Sequence, residues 1–134
     1  AVYKRRDDVF GVVHTHSTFC TAWACRGKTM PCITSEGAEL VGGTVKCAAF
    51  VPPGSIELAE VTSEALGNDS AVLMGNHGVI CVGANIDKAF NNAIIMEKEA
   101  KVAFYAYQMG DVNTLDEQMC IYLKEDVEKN YGQR

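Results

Sequence analysis

The sequence predicts an α/β fold, and three observations carry that reading. Residues 9–13, 71–74 and 79–82 are short runs dominated by β-branched and aliphatic side chains, the composition of buried strands. Residues 87–109 instead space their apolar side chains as a helix does, with Ala89, Phe90, Ala93, Ile94, Met96, Ala100, Val102, Ala103 and Tyr107 on the face meant for a sheet. With 134 residues, 48% of them hydrophobic, the chain is long enough to bury a core as one domain over residues 1–134.

Taken in order, residues 1–6 look like the last turn of a helix, and Asp7-Asp8 is a polar turn before the first strand. A helix is expected from Ser17 or Thr18 to Gly27, with Trp23 as a packing residue and a subunit-contact role as its sharper alternative. Pro31 makes residues 29–33 an extended connection. Ser35 should cap a short helix ending at Gly42-Gly43, and residues 45–51 should form a strand halted by Pro52-Pro53-Gly54. Ser55 then caps a helix that Gly67-Asn68 stops. On the long helix, Glu97, Lys98, Glu99 and Lys101 are read as a partly solvated face. A last helix is expected over residues 115–129, burying Met119, Tyr122, Leu123 and Val127.

Composition excludes several function classes. A net charge of −5 and a pI near 5.1 argue against a nucleic-acid surface or an anionic membrane surface. No apolar run approaches the roughly 20 residues of a spanning helix, and no signal peptide opens the sequence. The six cysteines form no Cys-x-x-Cys pair and read as reduced, mostly buried thiols of a cytoplasmic protein.

All three histidines fall at two places, His14-Thr15-His16-Ser17 and Asn76-His77-Gly78. Residues two apart on a strand point to one side, so His14 and His16 would present both imidazoles to one spot. His77 lies in a glycine-flanked turn between two strand-like runs, where glycine permits the backbone geometry needed to aim a side chain. Three imidazoles with an open position suit a catalytic rather than a structural zinc. His-x-His alone is a weak motif, and ordinary hydrogen-bonded histidines are the competing reading.

His14-Thr15-His16-Ser17, residues 53–59 (Pro-Gly-Ser-Ile-Glu-Leu-Ala) and Asn76-His77-Gly78-Val79, in that order, resemble the class II aldolase/adducin family over essentially the whole sequence. The 63 positions from His14 to His77 suit its fuculose-phosphate aldolase branch better than its pentulose-phosphate 4-epimerase branch. The resemblance implies a three-layer αβα sandwich around a central, largely antiparallel sheet, incomplete at its N-terminus. It implies a metal-dependent aldolase that cleaves a ketose 1-phosphate to dihydroxyacetone phosphate and an aldehyde through a metal-stabilised enediolate. His14, His16 and His77 would be the ligands of a zinc ion, with manganese or cobalt also compatible with those ligands.

The same resemblance assigns the tail. Tyr131, 54 positions beyond His77, matches a tyrosine that reaches a neighbouring subunit's site and helps protonate the aldehyde oxygen. A sugar phosphate is thus the implied small-molecule partner and a homotetramer the implied assembly. The family's proton-transfer carboxylate and its phosphate-binding loops would precede Ala1, so the sequence is expected to be an inactive fragment by itself. Glu36, Glu39 and Glu57 are substitutes only by proximity in sequence. The epimerase, a sugar-phosphate dehydratase and a non-catalytic, adducin-like assembly domain are the alternatives. An assembly domain has no physical need for an open tri-imidazole site.

Overall fold

In the computed structural model, which describes residues 1–130, a four-stranded sheet has helices on both faces. The elements are α1 (Val2–Arg5), β1 (Gly11–Thr15), α2 (Thr18–Ala24), α3 (Ser35–Leu40), β2 (Cys47–Ala48), α4 (Ile56–Leu66), β3 (Ala71–Met74), β4 (Gly78–Gly83), α5 (Ile86–Met109) and α6 (Glu117–Asn130). The strand order is β1-β4-β3-β2. β1 with β4 and β4 with β3 are antiparallel, whereas β2 joins β3 in parallel, so the sheet is mixed at that edge.

Strand alternation divides the core. Leu73, Val79 and Cys81 face a cluster with Trp23 of α2 and with Met96 and Ala100 of α5. Val72, Val82 and Ala48 face the opposite cluster with Leu66 of α4 and Val2 of α1. β3 is buried along its whole length, as expected of a strand covered on both sides. A third cluster, Cys32, Ala38 and Cys120, seats α6 against α3. No described helix is long and apolar enough to cross a membrane.

Several expectations change. The strand over residues 45–51 shrinks to Cys47–Ala48, with Val45 making only an isolated bridge to Met30. Its partner β3 turns away at Gly75, whose N–H bonds the carbonyl of Ala48, so nothing remains to pair with the residues beyond. Thr34 rather than Ser35 caps α3, its hydroxyl accepting from the N–H of Gly37 at 2.9 Å. Ser55 does cap α4, accepting from Leu58 at 3.1 Å, after Gly54 turns with φ of 84°.

On α5 the period is as expected but the buried face is rotated. Ala89, Ala93, Met96, Ala100 and Ala103 meet the sheet, with Asn92 and Glu99 buried beside them, whereas Phe90, Ile94, Val102 and Tyr107 are exposed. Small side chains let this helix lie close on β4 and β1, and Asn92 Nδ2 pins it by donating to the Val82 carbonyl at 2.9 Å. α6 begins at Glu117, behind Asp116, whose carboxylate accepts from the Met119 N–H at 2.8 Å. It buries Cys120 and half-buries Leu123 and Val127, leaving Met119 and Tyr122 in solvent.

Trp23 is buried, donating from Nε1 to the Ala100 carbonyl at 3.1 Å, with the Arg26 guanidinium 4.4 Å from its ring centroid. All six cysteines are free, and only Cys25 is exposed. Burial pushes the thiols of Cys20 and Cys32 up to about 12, the pattern of inert structural thiols.

Candidate metal centre

β1 carries His14 and, one residue past its end, His16; the turn between β3 and β4 carries His77. The β1–β4 register sets Thr15 against Val79, which brings that turn beside the end of β1. Ring centroids are 4.8 Å apart for His14–His16, 4.9 Å for His14–His77 and 4.8 Å for His16–His77. One nitrogen from each residue lies within 4.8 Å of the other two. Strand alternation and a single turn thus bring together the three histidines expected from the sequence.

The hydrogen bonds select a tautomer. His14 Nδ1 lies 3.0 Å from the carbonyl oxygen of Val79, which can only accept, so neutral His14 carries its proton there. Its Nε2 then presents a bare lone pair, 3.0 Å from Nε2 of His16. A backbone carbonyl on the far nitrogen is the usual outer support of a metal-binding imidazole.

His77 is held differently. Burial first, and then the neighbouring His14 and His16, lower its pKa below the ordinary histidine value, which favours the neutral, ligating form. Its Nδ1 is buried with no hydrogen-bond partner among the described residues. An ion at about 2.0–2.1 Å from three nitrogens in tetrahedral arrangement would space them by about 3.3 Å. The 3.0 Å between the His14 and His16 nitrogens is close to that spacing, and the tautomer of His14 and the orphaned nitrogen of His77 suit such a divalent ion.

The turn that aims His77 uses its residues differently from the sequence reading. The left-handed position is Asn76, with φ of 53°, not either flanking glycine. Asn tolerates this conformation better than most side chains do. The glycines serve close approach instead. A Cβ on Gly75 would lie 2.8 Å from the Ala48 carbonyl oxygen, and one on Gly78 would overlap the Thr15 carbonyl oxygen.

The carboxylates are where sequence reasoning fell short. Glu97 accepts from the backbone N–H groups of Phe19 and Cys20 at the start of α2, each at 2.9 Å. Burial would raise its pKa, but those two N–H groups, aided by Ser17, bring it below the ordinary value. Glu99, expected to be solvated, is buried, with one oxygen accepting from the Thr34 hydroxyl at 2.5 Å. Nothing in a run of alternating charges distinguishes these two from Lys98 and Lys101. Glu36 pairs with Lys98, and among the described residues no carboxylate joins the three imidazoles. Tyr131 lies outside the described residues.

Known proteins share both sequence and fold with this chain. The L-fuculose phosphate aldolase of Methanococcus maripaludis is 33% identical over 103 residues, covering 77% of this chain and 56% of that protein. The 5-deoxy-D-ribulose 1-phosphate aldolase of Bacillus thuringiensis is 32% identical over 132 residues, covering 98% of this chain and 61% of that protein. A solved L-fuculose 1-phosphate aldolase superposes with a TM-score of 0.90 at 29% identity, covering 94% of this chain and 59% of its own. The chain thus spans 56% to 61% of the relatives named here. The sequence model of the Class II Aldolase and Adducin N-terminal domain matches residues 1–104, which take in both histidine segments and most of α5; the chain belongs to the class II aldolase and adducin family.

Proposed function

We propose that these residues form the metal-binding part of a sugar-phosphate aldolase acting on a ketose 1-phosphate. The observation that carries this reading is the convergence of His14, His16 and His77 with their nitrogens within 4.8 Å. Aldol cleavage of a ketose phosphate builds negative charge on substrate oxygens, and a divalent ion supplies Lewis-acid stabilisation of that charge. The side chains of this chain have three tasks. His14 and His16 offer two nitrogens from one strand end, with the Val79 carbonyl holding the proton of His14 away from the ion. His77 closes the third position from the Asn76 turn. Zinc fits these ligands best, with manganese and cobalt as alternatives.

The substrate is read more coarsely than the reaction class. The relatives named above carry two different sugar phosphates in their names, and only the phosphorylated ketose is common to both. Tyr131 is proposed as the donor to the departing aldehyde's oxygen, reaching a neighbouring copy in a homotetramer. These 134 residues alone should hold metal yet show little cleavage, because no described carboxylate stands at the histidines to move the proton.

Elemental analysis after metal loading tests the site. One ion per chain is expected in the native protein and a large loss in His16→Ala. Equal metal content in the two proteins would count against the tri-imidazole centre.

A further inference from the structure

We infer that Glu97 of α5 is a positioning residue for the metal centre, setting the place of His16 by holding the start of α2. The inference rests on the tri-imidazole reading and deepens it. Helix α2 begins two residues after His16, so the position of its first turn decides where that imidazole lies. The side chain of its N-cap, Ser17, makes no capping bond to the helix. The orphan N–H groups of the first turn are satisfied from a distant segment instead. Glu97 Oε1 accepts from Phe19 N at 2.9 Å, and Oε2 accepts from Phe19 N at 3.1 Å and from Cys20 N at 2.9 Å.

A carboxylate is a strong acceptor at this place, because the bonds are charge-assisted and the helix dipole favours a negative group there. The other end of α2 meets the second half of the site. The Ala24 carbonyl accepts from the N–H of Asn76, the residue before His77, at 3.2 Å. Helix α2 is therefore a short strut between the His16 end and the His77 turn. Glu97 fixes one end to α5, and Trp23 bonds the same helix to Ala100 one turn further along. A shift of the strut at Glu97 would change the spacing of His16 from both other imidazoles.

A role in folding alone predicts lost stability with unchanged metal geometry, so the test reads geometry. The 134-residue chain is titrated with Co²⁺, following the visible d–d absorption, as the native protein and as Glu97→Gln, Glu97→Asp, His77→Ala and Thr34→Val. Thr34→Val removes the α3 cap and the bond to Glu99, whose partners lie apart from the histidines, and so controls for general destabilisation. Glu97→Gln is expected to weaken Co²⁺ binding about tenfold, the low end for outer-shell partners of metal ligands, and to alter the band shape. Glu97→Asp, which keeps the charge but withdraws it by one methylene, should fall between, and it decides the matter if Glu97→Gln does not fold. Native affinity and spectrum in both Glu97 variants, or an equal loss in Thr34→Val, would overturn the inference. A native Co²⁺ signal that survives His77→Ala would overturn the tri-imidazole reading itself, and the inference with it.

Discussion

Gly78 runs so close to Thr15 that a Cβ on it would overlap the Thr15 carbonyl oxygen, and the same Cβ would stand 3.1 Å from Cδ2 of His16. The residue after one proposed ligand thus packs against the backbone and the ring that present another. The site is built from two strand ends in contact, and its tolerance is set by that contact rather than by the imidazoles alone.

Gly78→Ala should therefore affect stability and metal binding together. The clash is with backbone, which has no rotamer to escape into, so β1 and β4 must separate locally. Overpacking of this kind costs about 1–3 kcal/mol, readable as a lower urea midpoint with an unchanged slope. Metal content after loading should fall as well. A variant as stable as the parent and fully loaded would show that the strand ends yield more easily than their packing implies.

Glu99 should make stability depend on pH. Burial raises its pKa above the ordinary 4.5, and its Oε1 has no partner among the described residues. The folded chain therefore keeps this proton to higher pH than the unfolded chain does. Its contribution is fully present below the unfolded value and is lost as pH rises through the folded one. Glu99→Gln cannot ionise, so urea unfolding across a pH series should show a smaller loss between pH 4 and pH 7 than in the parent. Parallel curves for the two proteins would mean that Glu99 ionises freely in place.

Tyr131 carries a proposal from sequence position alone, 54 residues beyond His77. In the active enzyme, Tyr131→Phe should lower turnover of a ketose 1-phosphate by about 10²–10⁴-fold, the range of a lost proton donor. Metal content should stay unchanged, because the ring carries no ligand. If the tyrosine serves a neighbouring copy, mixing Tyr131→Phe with His77→Ala subunits should restore part of the activity, since some sites then combine an intact tyrosine with intact ligands. Full turnover by Tyr131→Phe alone would remove the residue from the mechanism, and a loss that mixing does not restore would assign the tyrosine to its own chain's site.

The sequence by itself determined the three proposed ligands, the strands that present them and most helix boundaries, because each is a local pattern. Two residues apart on a strand means one face, and the runs around residues 71–74 and 79–82 carry their identity in their side chains. Family membership was legible for the same reason, in short motifs whose order survives along the chain. Only the tertiary structure decided which side of α5 is buried, since a helical period leaves its phase to the neighbours, and Asn92 and Glu99 went inward while Phe90 and Ile94 stayed out. It alone decided that residues 45–51 pair with β3 at just two positions, because that strand ends at Met74. It alone assigned Asn76 rather than a glycine to the left-handed position. Glu97 is the plainest case: its partners are the N–H groups of Phe19 and Cys20, more than seventy positions away. A bond from a side chain to a distant backbone leaves no periodicity or motif in the amino-acid sequence, so only the folded chain reveals it.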